Sequence, residues 1–147
     1  MKRSVELGTT AQVLCLLVLT LSLAIPVTAQ ESNRVLERGA LSRAKGQQGA
    51  PVMVYEIADF QCPFCARFAR EVFPKIDSAY VKTGKVQWFF VNLPLPTYGN
   101  AWAASEAALC AGAVADKFWP FHDKLFAAQQ EWAMVKDVGP IFSRIAR

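Results

Sequence analysis

The chain has 147 residues, 53% of them hydrophobic and 19% charged, with a net charge of +4. That composition excludes a disordered chain and fits one domain. The basic residues are scattered rather than blocked, so no nucleic-acid partner is expected.

The N-terminus opens on Lys2 and Arg3 and continues into an apolar run, Val13–Ile25, which Pro26 breaks before "VTA" at residues 27–29. A charged start, a short apolar core and a small-residue ending read as a secretory signal peptide over residues 1–29. The alternative is a membrane anchor over residues 13–29, although the run is short against the ~20 residues that a span requires. Cys15 has no convincing lipobox before it. Export places the mature chain where disulfides persist, in the periplasm or another extracytoplasmic space.

Residues 30–50 are polar and read as an exposed lead-in, with a short helical patch near Val35–Leu41. "PVMVYEIADF", residues 51–60, is rich in β-branched and aromatic residues and predicts a buried strand. Pro63 then suits a first helical position. Cys65, Phe68, Ala69, Val72, Phe73, Ile76 and Tyr80 come next at spacings of three and four, predicting an amphipathic helix. Pro74 should kink or split it, and Gly84 should end it. "KVQWFFVNL", residues 85–93, predicts a second buried strand. Strand, helix and strand together imply a right-handed βαβ unit with a parallel, two-stranded sheet. "PLPTYGN" is a loop, and Asn100 is placed to cap a helix through "AWAASEAALCAGAVA", whose alanines should pack on both sides. "DKFWPFHDKLFAAQ" predicts an aromatic helix, and Pro140 opens a last one.

The chemistry concentrates in "DFQCPFCARF", residues 59–68. Cys62 falls at the start of a helix that comes directly after a strand, where unpaired N–H groups and the helix dipole favour a thiolate. Cys65 lies one turn further on, within reach for a disulfide. In such a pair the outer sulfur attacks a partner and the inner one resolves the mixed disulfide. Pro63 and Phe64 between them carry no charge, and the lack of a histidine there suggests a weaker oxidant. A zinc site from Cys62, Cys65, Cys110 and His122 has no second close pair and is disfavoured. An inert structural disulfide is the remaining alternative. Cys110 reads as core filler and His122 as structural. Trp102, Phe118, Trp119, Phe121, Phe126 and Trp132 read as core, with a groove for unfolded substrate chains as the alternative.

"GAPVMVYEIADFQCPFCARF", "FFVNLPLPTYGNAWAASEAALCAG" and "DKFWPFHDKLFAAQQEW" resemble the DsbA-like thiol–disulfide oxidoreductases of the thioredoxin superfamily, over about residues 49 to 147. The resemblance implies an α/β thioredoxin-like fold over residues 51–147, with a helical insertion from about residue 99. It implies Cys62 as nucleophile and Cys65 as resolving cysteine. Pro63 and Phe64 would tune the redox couple. Glu56 matches an acidic residue often kept beneath the active site, where it relays protons or tunes the thiols; an ordinary strand residue is the competing reading. Cysteine-containing substrate proteins and a membrane redox partner are implied, and no cofactor or metal is. The family pattern continues with a cis-proline loop, two strands and a helix. Pro94, Pro96 and Pro140 do not stand in the place of that proline. The C-terminal ββα part is therefore expected to be missing. That leaves open a truncated, non-catalytic fragment or binding module of the same fold.

Overall fold

The computed structural model describes residues 27–147. The segment expected as a signal peptide (residues 1–29) or membrane anchor (residues 13–29) lies, up to residue 26, outside the described residues. The compact unit Val35–Arg147 holds every strand and helix described below, apart from the start of helix α1 (Val27–Leu41).

The lead-in is more ordered than its polarity suggests. The expected patch near Val35–Leu41 is the end of α1, and a two-residue strand comes after it, β1 (Ala44–Lys45). The Trp119 indole N–H donates to the Ala44 carbonyl at 3.1 Å. The Lys45 ammonium lies 4.9 Å from the Trp119 ring centroid, 5.3 Å from that of Phe73 and 3.7 Å from the Asp77 carboxylate. These partners are distant in sequence, so nothing local announces the strand.

The sheet has three strands, in the order β1–β3–β2, rather than the expected two. β2 (Val52–Ala58) and β3 (Val86–Asn92) run parallel, from Val52 opposite Val86 to Ala58 opposite Asn92. β1 pairs antiparallel with β3. Alternation along β3 buries Val86, Trp88 and Phe90, and the register aligns Val54, Glu56 and Ala58 of β2 with that inner face. The opposite face carries Met53, Tyr55 and Ile57, each at least 58% exposed. β2 is therefore a half-exposed edge strand, not the buried strand expected. Its continuous apolar run reads as two buried faces, but only one is covered among the described residues.

Between these strands the chain is helical from residue 63 to 81, in four pieces. They are α2 (Pro63–Arg67), a π-helical turn (Phe68–Val72), α3 (Phe73–Ile76) and a second π turn (Asp77–Val81). The first wide turn immediately precedes the piece containing Pro74, whose ring opposes a regular turn. Each π turn adds a residue and rotates the helix register. Asp77 and Val81 consequently face inward, whereas Val72 and Tyr80, expected on the apolar stripe, are 43% and 50% exposed. Gly84, with φ of 73°, takes the left-handed conformation that turns the chain into β3.

The remaining helices are α4 (Ala101–Ala115), α5 (Phe118–Ala127), α6 (Gln129–Trp132) and α7 (Gly139–Ala146). α4 buries Ala101, Ala104, Ala108 and Ala113 but leaves Trp102, Glu106, Cys110 and Val114 in an exposed stripe. It therefore packs on one side, not both, and neither Trp102 nor Cys110 belongs to the core. Gly112 passes so close to Ser42 and Phe118 that an added methyl would collide. The main core joins Phe60 and Phe90 to Phe118, Leu125, Phe126 and Trp132, all at most 1% exposed. Each such side chain contributes about 2–3 kcal/mol through burial.

Candidate active site

The turn from β2 to α2 is a set of backbone groups held by buried polar side chains. Asp59, Phe60 and Gln61 are all buried. The Asp59 carboxylate accepts from the Gln61 N–H through Oδ1 and from the Leu95 N–H through Oδ2, both at 2.7 Å. The Asp59 carbonyl accepts from the Cys62 N–H at 3.1 Å. Gln61 donates through Nε2 to the Ala133 carbonyl at 2.6 Å, and its Oε1 accepts from the Asn100 N–H at 2.7 Å. Gln129 donates through Nε2 to the carbonyls of Phe60 (2.7 Å) and Cys62 (3.0 Å).

Cys62 is the N-cap of α2, with extended backbone angles (φ −71°, ψ 123°), and Pro63 occupies the first turn as expected. The Cys62 carbonyl accepts from the Ala66 N–H at 3.1 Å. Cys62 and Cys65 are both half-buried free thiols. Burial pushes the Cys65 thiol up to about 11. A backbone hydrogen bond from Asp59 opposes this, while the neighbouring Cys62 sulfur adds to it. Cys65 therefore holds its proton at neutral pH. Phe64 is 70% exposed, and the Arg67 guanidinium lies 5.5 Å from its ring centroid.

Glu56 sits on the inner face of β2, partly buried. Its Oε2 accepts from the Trp88 indole N–H at 2.9 Å. Burial raises its pKa above 4.5, against the lowering effects of the Trp88 hydrogen bond and of His122. The carboxylate that acts on the Cys65 thiol is Asp59. His122 is fully buried among Phe60, Phe90, Trp119 and Phe126, with Nδ1 2.8 Å from Asp123 Oδ1. Among the described residues, no three His, Cys, Asp or Glu side chains gather as a metal site would require.

Asn100 stands at the expected cap position of α4, but its side chain does not cap the helix. Its Nδ2 instead reaches the carbonyls of Trp132 (2.9 Å), Ala133 (3.3 Å) and Val135 (2.9 Å). Sequence reasoning missed Asp59, Gln61 and Gln129. Asp59 and Gln61 flank Phe60 in the cysteine motif itself, and polar residues around a buried aromatic were the available signal. Gln129 lies 67 residues from the carbonyl of Cys62 that it holds, and nothing local marks it.

A parallel βαβ unit with a two-cysteine turn at the strand–helix junction and a helical insertion defines the class. The family model described as thioredoxin matches residues 41–141. The chain belongs to the thioredoxin family. Over 91 residues it is 38% identical to disulfide bond formation protein D of Bacillus subtilis (strain 168), a match covering 59% of this chain and 41% of that protein. The crystal structure of oxidised BdbD from Bacillus subtilis superposes with a TM-score of 0.65 at 30% identity, covering 71% of this chain and 56% of that one. That of Wolbachia pipientis alpha-DsbA1 gives 0.62 at 28% identity, covering 71% and 51%. The fold is thus thioredoxin-like and DsbA-like. The chain spans less than half the length of the first relative and about half that of the two solved structures.

Proposed function

We propose that this chain is an extracytoplasmic protein thiol–disulfide oxidoreductase, which passes a Cys62–Cys65 disulfide to cysteine pairs of substrate proteins. One observation carries the reading. Cys62 caps the first turn of a helix where it can be attacked, and Cys65 lies one turn inside, held as a thiol up to about 11. The similarity to disulfide bond formation protein D supports it.

A substrate thiolate attacks Cys62 Sγ. The Cys62–Cys65 bond breaks, and its electron pair leaves with Cys65, which takes up a proton. The substrate's second thiolate then attacks its own sulfur in the mixed disulfide, and the electron pair departs on Cys62. The substrate loses two electrons and the protein gains them. Because only a thiolate attacks a disulfide, a Cys65 that keeps its proton retreats slowly into the mixed disulfide. That favours completion by the substrate, hence oxidation. Pro63 and Phe64 shape the exposed approach to Cys62, and Asp59 is the carboxylate that bears on Cys65. Reoxidation calls for a separate partner, which we place at the membrane.

The test is equilibration of the full chain in glutathione buffers of graded potential, then alkylation and intact mass. Cys62 and Cys65 should oxidise together in one two-electron transition above the ~−270 mV of thioredoxin. Cys65→Ser should accumulate a mixed disulfide at Cys62. A chain with no cooperative two-thiol transition is a non-catalytic member of the fold instead.

A further inference from the structure

Gln129 opens the short helix α6, 67 residues beyond Cys62, and is buried against the active-site turn. A primary amide has two N–H donors, and Gln129 directs both at that turn. Nε2 donates to the Phe60 carbonyl at 2.7 Å and to the Cys62 carbonyl at 3.0 Å. Turned over, the same amide would set its own oxygen against both carbonyls, so the site accepts only this orientation. Bonds also run the other way between the two segments. Gln61, which lies between the two held carbonyls, donates through Nε2 to the Ala133 carbonyl at 2.6 Å, and the Ala133 N–H donates to the Gln129 carbonyl at 2.9 Å.

The peptide groups on both sides of Cys62 are thereby fixed. Its N–H donates to the Asp59 carbonyl at 3.1 Å, and its carbonyl accepts from the Ala66 N–H at 3.1 Å as well as from Gln129. A carbonyl oxygen has two lone pairs, and here each has a donor. These bonds hold ψ of Cys62 at 123°, and ψ sets where the carbonyl oxygen lies relative to Sγ of the same residue. That oxygen is the negative end of a dipole. Donors bonded to it weaken its repulsion of a negatively charged sulfur.

We propose that Gln129 is a positioning residue for disulfide exchange, its amide fixing the Cys62 carbonyl and offsetting that oxygen's charge beside Sγ. The inference deepens the disulfide-exchange reading above and rests on it for its role in turnover. In the last step of exchange the electron pair of the mixed disulfide departs on Cys62 Sγ. The charge then develops beside a carbonyl already bonded to two N–H groups. Gln129 acts on the sulfur through the Cys62 backbone.

Gln129→Met keeps the length of the side chain and removes both donors. Gln129→Glu keeps its shape and, when ionised, carries no donor. The reduced full chain and both variants are alkylated with iodoacetamide at pH 7, with modification at Cys62 tracked by peptide mass and folding checked by circular dichroism. Both variants should react about twofold to tenfold more slowly than the native chain, as expected for one lost hydrogen bond. A merely structural role has the opposite sign, because a loosened turn exposes Cys62 and speeds its reaction. At pH 5, where its carboxyl regains a donor proton, Gln129→Glu should approach the native rate measured at that pH, and Gln129→Met should not. Rates equal to or above the native rate in both variants overturn the proposal. The native chain supplies a test that needs no variant to fold. In its nitrogen-15 spectrum both Nε2 protons of Gln129 should exchange slowly with solvent, and exchange as fast as that of a free glutamine amide also overturns the proposal. The glutathione titration separates the two readings. Slowed variants with no two-thiol transition in the native chain keep the role of Gln129 and remove the oxidoreductase. A clean native transition with unslowed variants does the reverse.

Discussion

At the scale of single residues, the site is governed by two carboxylates with different surroundings. Asp59 is buried yet accepts two backbone N–H bonds, so its charge is met by the groups that it positions. Glu56 has one indole donor, whose lowering effect is smaller than the cost of burial, so its pKa lies above 4.5. That direction sets the sign of its effect on stability. A carboxyl whose pKa is higher in the folded than in the unfolded chain is bound more tightly to its proton in the folded state. Its contribution is complete below 4.5 and is lost as pH rises through the folded value. Glu56→Gln keeps an acceptor for Trp88 and removes the charge. The variant should gain stability relative to the native chain as pH rises from 4.5, the two curves converging in acid. Urea midpoints across that range check it, and parallel curves would remove Glu56 from the pH dependence.

At the scale of elements, the short helix α6 does more than its four residues suggest. Trp132 is fully buried, donates through Nε1 to the Leu125 carbonyl at 2.9 Å and packs edge-on against Phe142 at 5.5 Å. The carbonyls of Trp132 and its neighbour Ala133 hold Asn100, and that of Ala133 also holds Gln61. Trp132→Ala should cost about 3–5 kcal/mol in a urea titration and loosen the turn before Cys62, seen as faster amide exchange at Gln61 and Asn100. A loss below about 1 kcal/mol would place the anchoring elsewhere. The π turns act at the same scale. A periodicity read at 3.6 residues correctly finds the helix after Cys62. It misassigns Val72 and Tyr80, which lie within the two wide turns, because the register rotates there.

At the scale of the whole molecule, the sheet has one covered face and one open face. Met53, Tyr55 and Ile57 stand on the open side of β2, and Tyr55 stacks on Phe89 of β3 at 5.1 Å. Among the described residues nothing packs over them. An apolar patch of this kind on an edge strand takes up hydrophobic dyes. The native chain should bind anilinonaphthalene sulfonate, and Met53→Lys with Ile57→Lys should reduce the fluorescence by roughly half or more. As surface changes they should move the urea midpoint little, by about 0.5 kcal/mol each. Unchanged fluorescence would mean that this face is covered in solution.

The sequence by itself determined the βαβ unit, the helices of the insertion, the place of Cys62 at a helix start and of Cys65 one turn within. These features rest on local rules: strand composition, helical spacing, proline at a first turn, glycine where φ is positive. Tertiary structure alone decided the third strand, the open face of β2, the outward turn of Trp102 and Cys110, and the amides and carboxylate that hold the active-site turn. Each of these depends on which distant group supplies a partner or a cover. Lys45 needs Phe73, Asp77 and Trp119, and the Cys62 carbonyl needs Gln129. Burial and hydrogen-bond satisfaction belong to pairs of segments brought together by folding, and a local pattern carries no record of the second member of the pair.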